Sequence, residues 1–236
     1  MHRVIMKSTV YRQSSVASTA AMDADPDNLM YSRFPLRRME SETLRDALLA
    51  VTGKLNTKRF GAPIPVMEDS VGQIVLGQEN LDGERKPVDK EDLNGEEFRR
   101  SIYVQVRRTR TFSMFETFDA PAMTPNCDFR SSSTVAPQSL FFMNSAAIVE
   151  FADFFAERLL SEAAEGTEQQ VDRAWQLAYA ARPNESERAQ AVAFISTQQE
   201  VLAGQQSEWD EARVKREALS VFCQALLSSN RFLYVE

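Results

Sequence analysis

The chain from Pro137 onward follows a helical period almost without interruption, and this pattern constrains the fold more than any other feature. Apolar residues recur there three and four positions apart, as on one face of a helix. The predicted helices cover 137–143, 146–163, 167–180, 184–202 and 211–228. Pro137 suits a first helical position, and two pairs match capping boxes, Thr167 with Gln170 and Asn184 with Glu187.

Residues that break helices and form turns are scarce. The 236 residues include 8 Gly and 9 Pro, fewer than a fold of many short strands needs for its turns. Hydrophobic residues make up 43% of the chain, which is enough for a buried core. We therefore expect a mostly α fold of the α+β class.

The first half of the chain mixes helix and strand. A leading helix is predicted over 37–52, with Gly53 closing its last turn, and the alternation in SIYVQVR predicts a strand at 101–107. A short strand is predicted near Val71–Leu76, and 112–118 is either a further strand or an apolar loop. Together these elements predict a small β-element of two or three strands.

The resulting domain hypothesis is one C-terminal domain over 1–236, with a mixed part at 1–136 and a helical part at 137–236. Within the mixed part, the segment 78–97 is polar and highly charged. A segment of this composition buries too little apolar surface to offset its ordering entropy. We predict that it is mobile and dispensable.

The opening residues indicate neither a signal peptide nor a membrane anchor. MHRVIMKSTVYRQSS has no apolar stretch followed by a cleavage site, and the whole sequence holds no uninterrupted apolar segment of membrane-spanning length. No capping residue precedes Val4, so we expect that an element is already under way at residue 1. We expect the chain to be the C-terminal piece of a longer protein.

Charge and residue counts exclude several classes of function. The 27 basic and 34 acidic residues give a net charge of −7, which disfavours nucleic-acid binding. One His and two Cys are too few for a zinc site with several such ligands, an iron–sulfur cluster or a haem-attachment motif. We expect no cofactor or metal in this chain.

The acidic triplet and the cysteines have simple structural explanations. Asp23, Asp25 and Asp27 begin like a calcium loop but lack its later Gly and Glu, so a capped turn is the better prediction. Cys127 and Cys223 can form a disulfide in an oxidising compartment. Two free thiols are favoured, because Cys223 lies on an apolar helix face.

Charged side chains gather beside the strand predicted at 101–107. Five arginines between 99 and 110 form either an anion site or internal pairs with nearby carboxylates, and internal pairing is favoured. Glu116 and Asp119 are either a pair for acid–base catalysis or a chance pair among the 34 acidic residues, and the chance pair is favoured. We predict a polar network that joins the leading helix to this region. Its candidate residues are Arg45, Asp46, Arg100, Glu116, Asp119 and Arg130.

Several passages resemble one family. They are RRSIYVQVRRTRTFSMFETFDAPAMTPNCDFRSSSTVAPQSLFFMNSAAIV, MHRVIMKSTVYRQSS, RFPLRRMESETLRDALLAVTGKL and FCQALLSSNRFLYVE. Taken in their order along the chain, these passages are similar to those of the planctomycete domain-of-unknown-function family DUF1553, of the PSD1 type. The family's motif positions correspond here to Arg38, Glu42, Arg45, Asp46, Arg100, Tyr103, Glu116, Asp119, Cys127, Arg130 and Gln138.

The resemblance implies a location and a neighbour. It implies the C-terminal module of a large periplasmic or secreted protein, in which an upstream cytochrome-c-type domain carries any haem. The other domains of that protein are then its partners. The resemblance supplies no catalytic role for any residue.

Two functions follow as hypotheses. The first is a non-catalytic module that supports or docks other domains. The second is an enzyme domain that acts on an anionic or carbohydrate substrate through the arginines and carboxylates of 96–130. The first is favoured because the sequence shows no catalytic constellation. A concave pocket where several of these charged groups converge would support the second.

Overall fold

The computed structural model describes residues 1–78, 80–81, 87–88, 92–121, 130, 132–164 and 166–235. The helices are α1 (His2–Lys7), α2 (Thr19–Ala24), α3 (Ser41–Val51), α4 (Ser113–Thr117), α5 (Ala136–Asn144), α6 (Ala146–Glu162), α7 (Thr167–Tyr179), α8 (Glu185–Gln205), α9 (Glu211–Leu227) and α10 (Asn230–Leu233). Two 3₁₀ turns cover Glu96–Phe98 and Ser101–Tyr103. The mostly α, α+β class is confirmed.

The strands are short and pair only in twos. They are β1 (Arg37–Arg38), β2 (Val66–Glu68), β3 (Ile74–Leu76), β4 (Asn80–Leu81), β5 (Pro87–Val88) and β6 (Tyr234–Val235). The antiparallel pairs are β1 with β6, β2 with β3, and β4 with β5. A small β-element beside a helical half is therefore confirmed.

The chain divides into two compact units, Met1–Met39 with Leu233–Glu236 and Glu40–Phe232. In the first unit, α1 and α2 bury none of their residues. The carboxylate of Asp25 is buried and accepts the main-chain N–H groups of Leu29 and Met30, each at 2.8 Å. The predicted capped turn is therefore confirmed at Asp25 and Asp27, whereas Asp23 lies in α2. The single domain over 1–236 stays a prediction.

The core of the second unit lies among its last helices. α9 packs against α6 and α8, and α7 packs against α6, α8 and α9. Ile148, Phe155 and Leu159 of α6 are fully buried, as is Cys223 of α9. Because these faces have the 3.6-residue spacing of the sequence pattern, the predicted helices at 146–163 and 211–228 are confirmed to within one or two residues.

The two predicted capping boxes have different outcomes. Asn184 caps α8: its side chain accepts the N–H of Glu187 at 2.8 Å, and the Glu187 carboxylate accepts the N–H of Asn184 at 2.7 Å. The box predicted for Thr167 is wrong, because the capping position of α7 is Gly166. Thr167 is already in the first helical turn, one position too late for its hydroxyl to cap.

The leading helix begins four residues later than predicted. Arg37 and Arg38 belong to β1, where they pair with Val235 and Tyr234, so α3 starts only at Ser41. The same pairing attaches the residues near the end of the sequence to β1. Gly53 follows α3 with φ of 75°, a conformation that favours glycine and ends the helix as predicted.

The strand predicted at 101–107 is wrong. Ser101–Tyr103 form a 3₁₀ turn, closed by the N–H of Val104 on the carbonyl of Ser101 at 3.1 Å. Val104 is buried, whereas Ile102 is 79% exposed, so the alternating residues do not share a buried face. The 3₁₀ turn replaces the strand because contacts to α3 hold Ser101 there.

The strand pair of the mixed part lies earlier in the chain. The predicted strand near Val71–Leu76 is confirmed only at β3, and Val71 lies in the exposed turn before it. Its partner β2 was not predicted, because three residues are too few to show an alternation. The segment 112–118, predicted as strand or loop, contains the helix α4, and Phe118 after it is buried.

The segment predicted to be mobile at 78–97 lies partly outside the described residues, which leave out 79, 82–86 and 89–91. Its end is structured. The carbonyl of Gly95 accepts a hydrogen bond from the Asn56 side chain at 3.1 Å, and Glu96 and Glu97 form part of a 3₁₀ turn. The dispensability of the segment 78–97 stays a prediction.

None of the described helices is long and apolar enough to cross a membrane alone. The pair α5 and α6, bent by 55° at their junction, meets the same length and composition test when taken together.

The 3₁₀ turn at Ser101–Tyr103 predicts that substitutions of Val104 and Ile102 have unequal effects on stability. Val104→Ala should lower the free energy of unfolding by about 2 kcal/mol, since it removes buried methyl groups and leaves a cavity. Ile102→Ala should change it by no more than about 0.5 kcal/mol, as for an ordinary surface substitution. Urea denaturation of both variants measures this. Equal losses would indicate a strand with both residues on a buried face.

Candidate functional site

The buried guanidinium of Arg45 organises the region around the predicted site. Arg45 lies on α3 and is 2% exposed. Its Nη1 donates to the carbonyl of Arg99 at 2.9 Å and to the hydroxyl of Ser101 at 3.2 Å, and its Nη2 donates to the carbonyl of Glu97. Burial lowers the pKa of Arg45 to about 10, against a smaller opposite effect of Asp46. We call residues 97–101 the strap, because Arg45 ties them to α3.

Asp46, the next residue of α3, holds the end of the same strap. Its Oδ1 accepts the main-chain N–H of Ser101 at 2.7 Å, and its Oδ2 accepts Nε of Arg100 at 2.9 Å. The Arg100 side chain is 62% exposed, so this ion pair faces solvent. Arg45 and Asp46 therefore fix the strap from within, while Arg100 stays accessible.

Arg99 is buried and has a structural role, although the sequence analysis grouped it with exposed arginines nearby. It is 1% exposed, and it donates to the carbonyls of Ala62 and Phe60 and to the carboxylate of Glu96 at 2.9 Å. Its guanidinium also lies over the ring of Tyr103, 4.0 Å from the centroid. The pairing of Arg99 with Glu96 confirms the predicted internal pairing for this member of the cluster.

Arg130 forms a second charged group with two carboxylates near the start of α3. Its Nη1 lies 2.8 Å from Oε2 of Glu40. Nη1 also donates to Oε2 of Glu42 at 2.9 Å, and Nη2 donates to Oε1 of Glu42 at 2.5 Å. Partial burial raises the pKa of Glu42, but hydrogen bonds from Arg130 and Ser41 outweigh this, and the net pKa lies below its usual 4.5. Glu42 is therefore an ionised partner of Arg130.

Asp119 belongs to a third group, at the entrance to α5. Its carboxylate accepts the main-chain N–H of Ser133 at 2.7 Å and its hydroxyl at 2.9 Å. The amide of Gln138, which is buried, lies 3.4 Å away and donates to the carbonyl of Thr117 at 3.1 Å. Glu116 is exposed on α4. These contacts divide the six predicted residues among separate neighbourhoods.

A cleft of about 440 Å³ opens beside the strap, and three of the six predicted residues line it. Its charged lining residues are Glu40, Glu42, Asp46, Arg100, Arg107 and Arg130. Apolar lining residues include Ile102, Val106, Phe112 and Phe115. Arg45, Glu116 and Asp119 are not among the lining residues. The cleft thus combines equal numbers of acidic and basic groups with an apolar wall.

The cleft offers both kinds of hydrogen-bonding group. Carboxylates accept, and guanidinium groups donate. Within the described part of the chain, His, Cys, Asp and Glu side chains form no group of three placed to hold a metal ion. Cys223 is a free thiol in the core, where burial, and to a lesser degree Asp153, raise its pKa well above the usual value. Cys127 lies outside the described residues.

Sequence reasoning found the arginines of the site and Asp46, the partner of Arg100, but it did not find the partners of Arg130 by pattern. Glu40 was not a candidate, and Glu42 appeared only among the positions that match the family pattern. Arg130 and Glu42 are 88 positions apart, so no local pattern joins them. The density of arginine near 100 and the resemblance to the family were the features of the sequence that pointed to this site.

Comparison with known proteins finds one family. The model of the PSD1 family, described as a protein of unknown function (DUF1553), matches residues 1–195. Searches of curated proteins and of solved structures found no match.

The two arginines held by α3 should differ sharply in their effect on stability. Arg45→Ala should lower the free energy of unfolding by about 3–5 kcal/mol, because it leaves buried carbonyls without donors. Arg100→Ala is the matched control and should cost about 1 kcal/mol or less, as exposed ion pairs do. Urea denaturation measures both. A loss within about 0.5 kcal/mol for Arg45→Ala would contradict the structural role of its guanidinium.

The pairing of Glu42 predicts a dependence of stability on pH. Because the folded-state pKa is lowered, the pair stabilises the fold above the unfolded-state value near 4.5, and this is lost as the pH falls through the folded-state pKa. The stability difference between the parent and Glu42→Gln should therefore be largest above about pH 5.5 and shrink below about pH 4. Urea denaturation at several pH values measures it.

The Arg130→Gln background provides the control for this pH dependence. There the pair is already broken, so adding Glu42→Gln should change the pH profile much less. If Glu42→Gln changes the pH profile of stability equally in both backgrounds, the pH dependence comes from another partner of Glu42.

Proposed function

The chain belongs to the PSD1 family of proteins of unknown function (DUF1553), and we propose that it is a non-catalytic docking module. Its cleft beside the strap is the docking site. The ligand is a neutral, polyhydroxylated chain such as an oligosaccharide. The module thereby attaches the protein that contains it to its surroundings or to a partner.

The observation that carries this proposal is the pairing of charges in the cleft. Arg100 is paired with Asp46, and Arg130 with Glu40 and Glu42. Paired groups of this kind are already neutralised, and the charge of Arg107 is balanced by the second carboxylate beside Arg130, so the cleft holds no excess of positive charge for an anionic ligand. Their positions are set by hydrogen bonds to α3 and the strap, which favours rigid recognition over chemistry.

A hydroxyl-rich ligand fits the lining because each hydroxyl both donates and accepts. The carboxylates of Glu40 and Glu42 can accept hydroxyl protons, while Arg107 can donate to hydroxyl oxygens. The rings of Phe112 and Phe115 lie 5.0 Å apart in an edge-to-face contact and provide an apolar wall. Sugar rings present C–H faces that such a wall can cover.

The larger context is also part of the proposal. We place this chain at the C-terminal end of a longer periplasmic or secreted protein, beside an upstream cytochrome-c-type domain that carries the haem. Its partners are then the other domains of that protein. The similarity of the quoted passages of this chain to the family supports this placement. The upstream reading frame tests it, since a signal peptide and a C-x-x-C-H motif are expected there.

An enzyme that acts on a carbohydrate is the second candidate, and the three carboxylates of the cleft favour it. Glycoside hydrolysis needs one carboxyl group that is protonated and one that is ionised. The lowered pKa of Glu42 suits the ionised role only. This candidate therefore requires Glu40, Asp46 or another group as the acid.

Titration calorimetry with oligosaccharides of equal length tests the proposed function. Neutral hexasaccharides should bind more tightly than uronic-acid or sulfated oligomers. Arg130→Gln should weaken binding by about tenfold, equivalent to about 1.4 kcal/mol. The matched control is Arg188→Gln, which removes a similar pair, Arg188 with Asp172 at 2.7 Å, outside the cleft. It should leave the affinity unchanged.

Other results would contradict the proposal in distinct ways. Preference for acidic oligomers would indicate an anion site. Release of shorter sugars during incubation would favour the enzyme. Binding to none of the panel, or equal loss in both variants, would overturn a carbohydrate site in this cleft.

A further inference from the structure

The first unit buries almost none of its apolar side chains. Twelve large apolar residues between positions 1 and 36 are exposed, and among the described residues of this unit Leu233 is the one large apolar residue that is buried. Single apolar residues are common on protein surfaces, but a concentration of them marks a surface that another body covers.

The loop 25–33 shows how this exposure is built. The carboxylate of Asp25 accepts the N–H groups of Leu29 and Met30. The side chain of Asn28 donates to the carbonyl of Arg33 at 2.8 Å and accepts its N–H at 3.2 Å. The guanidinium of Arg33 donates to the carbonyl of Asp25 at 3.1 Å. The polar side chains are therefore used within the loop, where they fix its main chain.

The apolar side chains of the same loop point outward. Leu29, Met30 and Tyr31 are 77, 80 and 71% exposed, and we call these three residues the tip. Tyr31 has φ of 53°, which a bulky residue rarely adopts, and its carbonyl accepts Nε2 of Gln13 at 2.9 Å. Strain of this kind persists only where the surroundings impose it, and it is typical of functional segments. The loop thus holds three consecutive apolar residues in contact with solvent.

A groove of about 280 Å³ joins the tip to α1. Tyr31 lines it from the side of the loop, and Ile5 lines it from α1. The exposed apolar residues are therefore not scattered, and they form one surface. We call this surface the apolar face, and its residues are Ile5, Val10, Tyr11, Leu29, Met30 and Tyr31.

Positive charge accompanies the apolar face. Residues 1–22 include Arg3, Lys7 and Arg12 and contain no Asp or Glu. All three basic residues are exposed, and they alternate along the chain with residues of the apolar face. Over 1–39 there are six basic and three acidic residues, and the carboxylate of Asp25 is occupied by main-chain N–H groups. Basic groups beside apolar ones complement a membrane interface, where anionic headgroups cover an apolar interior.

The form of the tip favours a bilayer over a protein as the occupant. Each of its three residues is mostly exposed, so the tip projects from the unit, and a rigid partner would need a pocket shaped to receive it. Lipid headgroups can move aside for a projecting loop. The tyrosines of the apolar face also suit the boundary, because each has an apolar ring and a polar hydroxyl.

We propose that the first unit binds the surface of membranes that contain anionic lipids. The tip inserts its apolar side chains between the headgroups, and Arg3, Lys7 and Arg12 bind the lipid phosphates. Binding of this peripheral kind needs no membrane-spanning helix. The proposal makes no use of the cleft beside the strap and is independent of the proposed docking function.

Co-sedimentation of the full chain with lipid vesicles tests this proposal. One set of vesicles is phosphatidylcholine alone, and the other contains about 30% phosphatidylglycerol, an anionic lipid. Each basic residue near an anionic surface contributes about fivefold to binding, so the mixed vesicles should bind about a hundredfold more tightly. Raising the salt to about 1 M should remove most of this difference, because it screens the charges.

Variants with a matched control locate the contact. Met30→Ser should weaken binding to the mixed vesicles about tenfold, since it removes an inserted apolar side chain. Val71→Ser changes a residue of similar exposure in a turn of the second unit and should have no effect. Lys7→Gln should weaken binding to the mixed vesicles about fivefold and leave binding to phosphatidylcholine unchanged. Thermal melts establish that each variant is folded.

Tryptophan fluorescence distinguishes insertion from attraction by charge alone. Met30→Trp should show a blue shift on the mixed vesicles and quenching by brominated lipids, because the indole enters the headgroup region. Val71→Trp is the control and should show neither. The parent chain gives the contribution of Trp175 and Trp209.

The opposite results would each overturn the proposal or a stated part of it. Equal binding to both kinds of vesicle would remove the role of the basic residues. Equal losses in Met30→Ser and Val71→Ser, or no quenching of Met30→Trp, would remove the role of the tip. No binding to either vesicle would overturn the proposal as a whole. If sedimentation velocity then shows self-association that Met30→Ser abolishes, the apolar face is a contact between copies of this chain.

Discussion

The buried guanidinium of Arg45 is the interaction on which both cavities of the second unit depend. A charge removed from water is costly unless its donors are met, and here carbonyls of the strap and one hydroxyl meet them. Among the described residues the strap pairs with its neighbour through an isolated bridge of Arg99 with Asn56, and the Arg45 side chain adds the hydrogen bonds that a longer ladder would supply. Ser101 at one end of the strap lines the cleft, and Glu97 at the other lines a second cavity, of about 390 Å³.

The helical half could be predicted from the sequence because its information is local. The apolar spacing of α6 and α9, and the capping box of Asn184 and Glu187, lie within a few residues of the structure they specify. The strand at 101–107 was mispredicted because alternation indicates a strand only if a neighbouring segment pairs along its length, and in this segment Val104 forms an isolated bridge with Ile64. Here, contacts from Arg45 and Asp46 hold Ser101 in a 3₁₀ turn instead.

The site was predictable in composition but not in arrangement. Arg45, Asp46, Arg100 and Arg130 stood out because charge is dense beside well-patterned elements. Their partners are either distant in sequence, as Glu42 is from Arg130, or main-chain atoms, as the carbonyls bound by Arg45 are. Which main-chain carbonyl accepts a hydrogen bond cannot be predicted from residue types, since every residue has a carbonyl. Oε2 of Glu97, which accepts no hydrogen bond among the described residues, could not be predicted either, because whether a polar atom has a partner depends on its surroundings in the fold.

The pairing of β1 with β6 sets an order on synthesis. Arg37 and Met39 pair with residues 233–235, which are made after all the helices of the second unit, so the first unit is incomplete while those helices are already available. Domains generally form as they are made, from the N-terminus onward. In this chain β1 therefore waits for β6. A product that stops within the helices of the second unit leaves the main-chain groups of Arg37, Arg38 and Met39 without these partners.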